Sequence, residues 1–174
     1  MEKQELLKAF KNNHQTFTQY IDDLDIEKFI YANDDKWSAG QQLKHVLLTL
    51  TPFPKILPSK NYLSEKFGTL DRSSWNYETV LNNYLKTSRQ APQQFVPNAV
   101  ILFEEKELII RDIQNHIETI TFHLNNYSEE ELDLFSIPHP LLGKLTIREM
   151  FYLMSYHPLH HLKQIEVSFE SYRK

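Results

Sequence analysis

The sequence predicts an all-α fold of the four-helix-bundle type, and three observations predict it. Four long segments place apolar residues at steps of 3 and 4, the spacing that lines one face of a helix. Helix-start patterns of Ser or Thr followed three residues later by Gln or Glu precede several of these segments. No run of residues alternates convincingly enough to read as a strand.

In the first segment Leu7, Phe10, His14, Phe17, Ile21 and Leu24 form the buried stripe. Asp34, Asp35 and Lys36 read as a connection, and Trp37 follows it. Ser38 with Gln41 forms a capping box that starts the second helix, whose apolar side is Leu43, Val46, Leu47 and Leu50. Pro52 and Pro54 then kink or break it, since each lacks an N–H and clashes with the preceding turn.

Between the second and third helices the helical signal weakens while aromatic residues persist: Tyr62, Phe67, Trp75, Tyr77 and Tyr84. This reads as an ordered excursion packed on the domain, with a short helix from about Tyr77 to Arg89. Ala91-Pro92 and Val96-Pro97 force extended or turn conformations beyond it.

The third helix is the clearest, with Asn98 as its cap. Its stripe of Phe103, Ile110, Ile113, Ile117, Ile120 and Leu124 is interrupted only by Lys106. Ser128 with Glu131 gives a further capping pattern before a short segment, Pro138 and Pro140 intervene, and Gly143 sits in a turn. Thr146 with Glu149 then opens the fourth helix, flanked by Leu145 and Met150 at hydrophobic-staple positions, and that helix runs to about Phe169.

The bulk properties narrow the function classes. At 174 residues the chain is a single domain's worth, 1–174, long enough to bury a core without disulfide staples. A net charge of −4 with no basic patch argues against nucleic acid as a partner. The absence of cysteine excludes a cysteine nucleophile, Cys-ligated zinc and disulfides. Three isolated glycines make no phosphate-binding loop. With neither a signal-peptide pattern nor a span apolar enough for a bilayer, no membrane is expected and the cytoplasm is the expected compartment.

The chemistry-bearing feature lies in the fourth helix, where His157, His160 and His161 fall within five residues. His157 and His161 are spaced i, i+4 and share a face, as paired metal-ligating histidines do. Pro158 stands where a zinc protease carries its general-base Glu, which excludes that mechanism, and it is expected to bend the helix at the site. Such a pair also arises from ordinary packing, and a stable site needs a third ligand. His14, His45, His116, His123 and His139 are the candidates, and periodicity does not choose among them. His14 falls in the first helix's apolar stripe, as a structural histidine or a ligand. His45 lies on the face of Gln41 and Thr49, so the pattern makes it exposed or the lining of a polar pocket.

Residues Trp37 to His45, then Leu142 to Met150, then His157 to Ile165, in this order and separation, resemble the DinB-like (DinB/YfiT-like) superfamily. The likeness spans nearly the whole chain. It implies a four-helix bundle with a divalent metal (zinc, nickel or iron) held by three histidines, which by position are His45, His157 and His161. It also implies a small-molecule substrate, use of a low-molecular-weight thiol by transferase or hydrolase relatives, and a homodimer. His160 and Gln164 match the family-like end of the last helix, where His160 reads as exposed or as a neighbour of the ligands. Trp37 matches an aromatic whose role is core packing. The alternative is a non-enzymatic bundle that binds a metal or small molecule, or one whose metal site has decayed.

Overall fold

The computed structural model describes residues 1–33, 36–87 and 90–172. It is mostly helical: α1 (Lys3–Asp22), α2 (Ile26–Ile30), α3 (Ala39–Leu50), α4 (Phe53–Ile56), α5 (Lys60–Phe67), α6 (Tyr77–Leu85), α7 (Lys106–Asn125), α8 (Glu129–Leu134) and α9 (Ile147–Tyr172). Short 3₁₀ turns lie at Gln93–Phe95 and Phe103–Glu105, and one small hairpin pairs β1 (Ser136–His139) with β2 (Gly143–Thr146).

The stripes read from the sequence are the faces that pack. α1 lies against α9 and α7, and α3 lies against α7 while touching α1 and α9. Their buried residues, Phe10, Phe17 and Ile21 of α1, Leu43 and Val46 of α3, Ile113 and Ile120 of α7, and Phe151 of α9, join one hydrophobic core. Gly40 is required where α2 meets α3: a Cβ there would stand 2.6 Å from the ring of Phe29.

The capping boxes form as expected. Ser38 Oγ accepts from Gln41 N while Gln41 Oε1 accepts from Ser38 N. The same exchange joins Thr146 to Glu149 and Ser128 to Glu131. The break near Pro52 also occurs, with α3 ending at Leu50 and α4 beginning at Phe53.

Other expectations need correcting. Asn98 does not cap α7, which begins at Lys106 after the 3₁₀ turn; the Asn98 carbonyl instead accepts from Gln41 Nε2. Lys106 does not spoil its stripe, because its buried ammonium donates to the carbonyls of Asp22 and Leu24, at and just beyond the end of α1. The hairpin was not expected. Gly143, at φ +72, begins β2 after the turn, and Pro138 fits because a two-stranded ladder is all edge. Asp34 and Asp35 of the expected connection, and Ser88 and Arg89 of the expected short helix, lie outside the described residues.

Helix α9 continues through Pro158 without a break, so the expected disruption does not end the helix. The excursion is pinned to the start of α9 by Glu149. That carboxylate accepts from Arg72 Nη1 and Nη2 (2.9 and 2.8 Å), from Thr146 N and from Trp75 N. The Arg72 guanidinium stacks 3.4 Å from the Trp75 ring centroid.

Candidate metal centre

Two helices supply the cluster. The Ser38 cap sets the start of α3, and Gln42 and His45, three residues apart, then share a face. From α9, the i, i+4 pair His157 and His161 meets it. All three imidazoles are buried, and each offers one ligand atom within 4.8 Å of the others.

Their hydrogen bonds fix the tautomers. His45 Nδ1 stands 2.7 Å from the carbonyl oxygen of Phe95, which can only accept, so Nδ1 carries the proton. His161 Nδ1 lies 2.6 Å from Gln42 Oε1. Gln42 is oriented by its amide nitrogen, which donates to the Trp37 carbonyl, so its oxygen faces His161. Both Nε2 atoms are therefore bare lone pairs. They point at a third nitrogen, His157 Nε2, at 3.3 Å from His45 and 3.0 Å from His161. One proton on His157 could serve only one of them. Three nitrogens thus converge with too few protons to satisfy them.

Burial, the largest effect, pushes the protonation of His157 and His161 well below the ordinary histidine range, and neighbouring imidazoles push the same way. Burial also lowers His45, against the opposing hydrogen bond to Phe95. All three are held neutral, the form that binds metals.

This donor set fits a divalent cation. Nitrogens about 2.0–2.1 Å from a tetrahedral ion stand roughly 3.3 Å apart; the His45–His157 contact has this spacing and the His161–His157 contact, at 3.0 Å, is slightly shorter. Two of the three rings already donate Nδ1–H to an oxygen, the arrangement that orients metal-ligating histidines.

The cluster opens on a cavity of about 1210 Å³ whose wall includes Trp37, Phe53, Phe95, Leu153 and Met154. Among the described residues no aspartate or glutamate lines it. His139 also lines this space; its Nδ1 accepts from the amides of Leu141 and Leu142, which leaves the proton on Nε2. Burial lowers its pKa to about 4.

The structure brings together His45, His157 and His161 and leaves the other candidates outside that cluster. His14 is buried in the core, His139 is in the cavity wall, and His116 and His123 are on α7. His160 interacts with Gln164 at 3.0 Å and packs against Tyr84 and Tyr156. The correction concerns His45. The pattern made it exposed or the lining of a polar pocket; it is not exposed but buried, covered by the turn Gln93–Phe95 with Trp37 5.0 Å from its ring, and it lines the cavity. Phe95 and Gln42 were the partners sequence reading missed. Gln42, one turn before His45, had a local signal; a backbone carbonyl fifty residues away had none.

The model of the DinB superfamily matches residues 9–165. The chain belongs to the DinB superfamily. No curated protein matches it. The matched span runs from inside α1 almost to the end of α9 and so includes all three histidines of the cluster. Membership in the DinB superfamily and a three-histidine cluster are both compatible with metal binding, and this cluster could hold such an ion.

Proposed function

We propose that the chain is a single-domain, divalent-metal-dependent enzyme, with α1, α3, α7 and α9 as the helices of a four-helix bundle. His45, His157 and His161 are its ligands, and its reaction transfers a group to or from a low-molecular-weight thiol. The observation that carries this reading is the convergence of three neutral imidazole nitrogens, two of them fixed as bare lone pairs by their outer hydrogen bonds.

A divalent cation there, zinc, nickel or iron, supplies positive charge that favours loss of a thiol's proton and stabilises charge developing on substrate. The chain's own residues do the rest. Phe95 and Gln42 hold two rings in the required tautomer. The apolar wall of Trp37, Phe53, Leu153 and Met154 excludes water from the reacting groups. His139, with its proton on Nε2, lines the same cavity and adds a donor to its wall.

Among the described residues no carboxylate lines the cavity, which favours a thiol over water as nucleophile. A thiol loses its proton near neutrality, whereas water activation is commonly assisted by a carboxylate base. The same lack supports a second reading, a non-enzymatic module that binds a metal or small molecule. A homodimer and a cytoplasmic place of action belong to the first reading.

Purified untagged protein loaded with zinc should consume N-acetylcysteine in the presence of a reactive aryl halide, and His45→Ala should lose that activity with its metal. Stoichiometric metal without thiol-dependent turnover across a panel of small electrophiles would favour the binding module.

A further inference from the structure

Two of the three clustered histidines have an outer acceptor for their Nδ1–H, and the third does not. His157 Nδ1 is buried with no hydrogen-bond partner among the described residues. If His157 gives Nε2 to a cation, its remaining proton must sit on Nδ1, so an unanswered donor is left inside the core.

On the neighbouring helix stands an unanswered acceptor. His14, on α1, is completely buried, and its Nδ1 lies 2.8 Å from the Phe10 carbonyl, so Nδ1 carries the proton. Its Nε2 is therefore a bare lone pair, and it too is buried without a partner among the described residues. Helices α1 and α9 pack closely along this stretch. Asn13 Nδ2 donates to the Ser155 carbonyl at 2.9 Å, and Phe10 packs on both His14 and Phe151. Burial lowers the pKa of His14 to about 4, so its acceptor nitrogen stays bare at neutral pH.

We infer that His14 is the positioning residue of His157: its Nε2 accepts the Nδ1–H of His157, directly after a ring rotation or through one bridging water, once His157 Nε2 is committed to a cation. This rests on the metal site proposed above. His14 is outside the three-histidine cluster, so its role is to orient a ligand, the part Phe95 plays for His45 and Gln42 for His161. A buried acceptor is costly to keep unless it has such a use.

The test compares His14→Leu, which removes the acceptor, with His14→Gln, which retains an oxygen at similar reach. Zinc affinity is measured by competition with a chromophoric chelator, and the thermal midpoint of the metal-free protein is measured alongside. His14→Leu should weaken zinc binding about 10- to 100-fold with an unchanged or raised midpoint, and His14→Gln should recover most of the affinity. Zinc binding by folded His14→Leu within about threefold of the parent overturns the inference, as does equal weakening in both variants. Should His14→Leu fail to fold, ¹⁵N spectra of the parent decide. The His14 Nε2 resonance should shift from bare to hydrogen-bonded on zinc addition, and an unmoved resonance overturns the inference. A parent that binds no zinc overturns the metal site itself, and the inference with it.

Discussion

Helix α9 carries two buried polar clusters, at Glu149 and at His157, and they are built on opposite terms. Around Glu149 each carboxylate oxygen meets donors: a bidentate guanidinium, the Thr146 amide and the Trp75 amide. Two turns on, nitrogen lone pairs face one another and His157 Nδ1 has no partner among the described residues. The first cluster is complete as it stands and joins the excursion to α9. The second could hold a metal ion, and in the proposed function a cation completes it. A satisfied buried charge network reads as structure, whereas convergent buried acceptors short of protons read as a ligand site.

Breaking the complete cluster should have the largest effect. Glu149→Ala strands the Arg72 guanidinium and two backbone amides, so chemical denaturation should show a loss of about 3 kcal/mol. A loss well under 1 kcal/mol would remove the contrast.

Acid sharpens the comparison next. His14 and His139 have folded-state pKa values of about 4 against an ordinary 6.5, because burial disfavours their charged forms. Between pH 6.5 and 4 the unfolded chain therefore binds more protons than the folded one. Their contribution is complete above about pH 6.5 and falls as pH drops toward 4. For fully buried His14 the loss is about 3 kcal/mol across that window. Denaturation at pH 7 and pH 4.5 measures it; equal stability at both would contradict the burial argument.

Removing the outer partner of one ligand should have a moderate effect on binding. Gln42→Leu frees the His161 ring, and competition titration should show zinc affinity weakened about tenfold. Undiminished affinity would mean that Gln42 serves packing alone.

The smallest expected effect is on stability at the incomplete cluster. His157→Leu should leave the metal-free protein within about 1 kcal/mol of the parent, since replacing crowded acceptors by an apolar side chain strands little. A loss comparable to that of Glu149→Ala would show that the histidines are structural.

The same contrast separates what the sequence made legible from what it did not. Periodicity identified α1, α7 and α9, and capping boxes located the starts of α3, α8 and α9, because both signals act within one or two turns. Helix α5 buries only Leu63 and so carries hardly any stripe. The hairpin turns at residues 140–142, between strands of only four residues that are too short to show alternation. At the site, the i, i+4 pair on α9 was visible for the same local reason. His45 was not visible from its own helix, because the turn at Gln93–Phe95 that buries it arrives from a distant part of the chain. Only the family resemblance pointed to it.

The central claim is that the three histidines are completed by a cation. It is tested most directly by adding zinc, nickel or iron(II) in turn to untagged, metal-stripped protein, removing excess, and measuring bound metal per chain beside the His157→Ala variant. The account predicts one ion per chain with a raised thermal midpoint for at least one metal, both lost in the variant. No bound ion with any of the three, or equal binding by parent and variant, would contradict it.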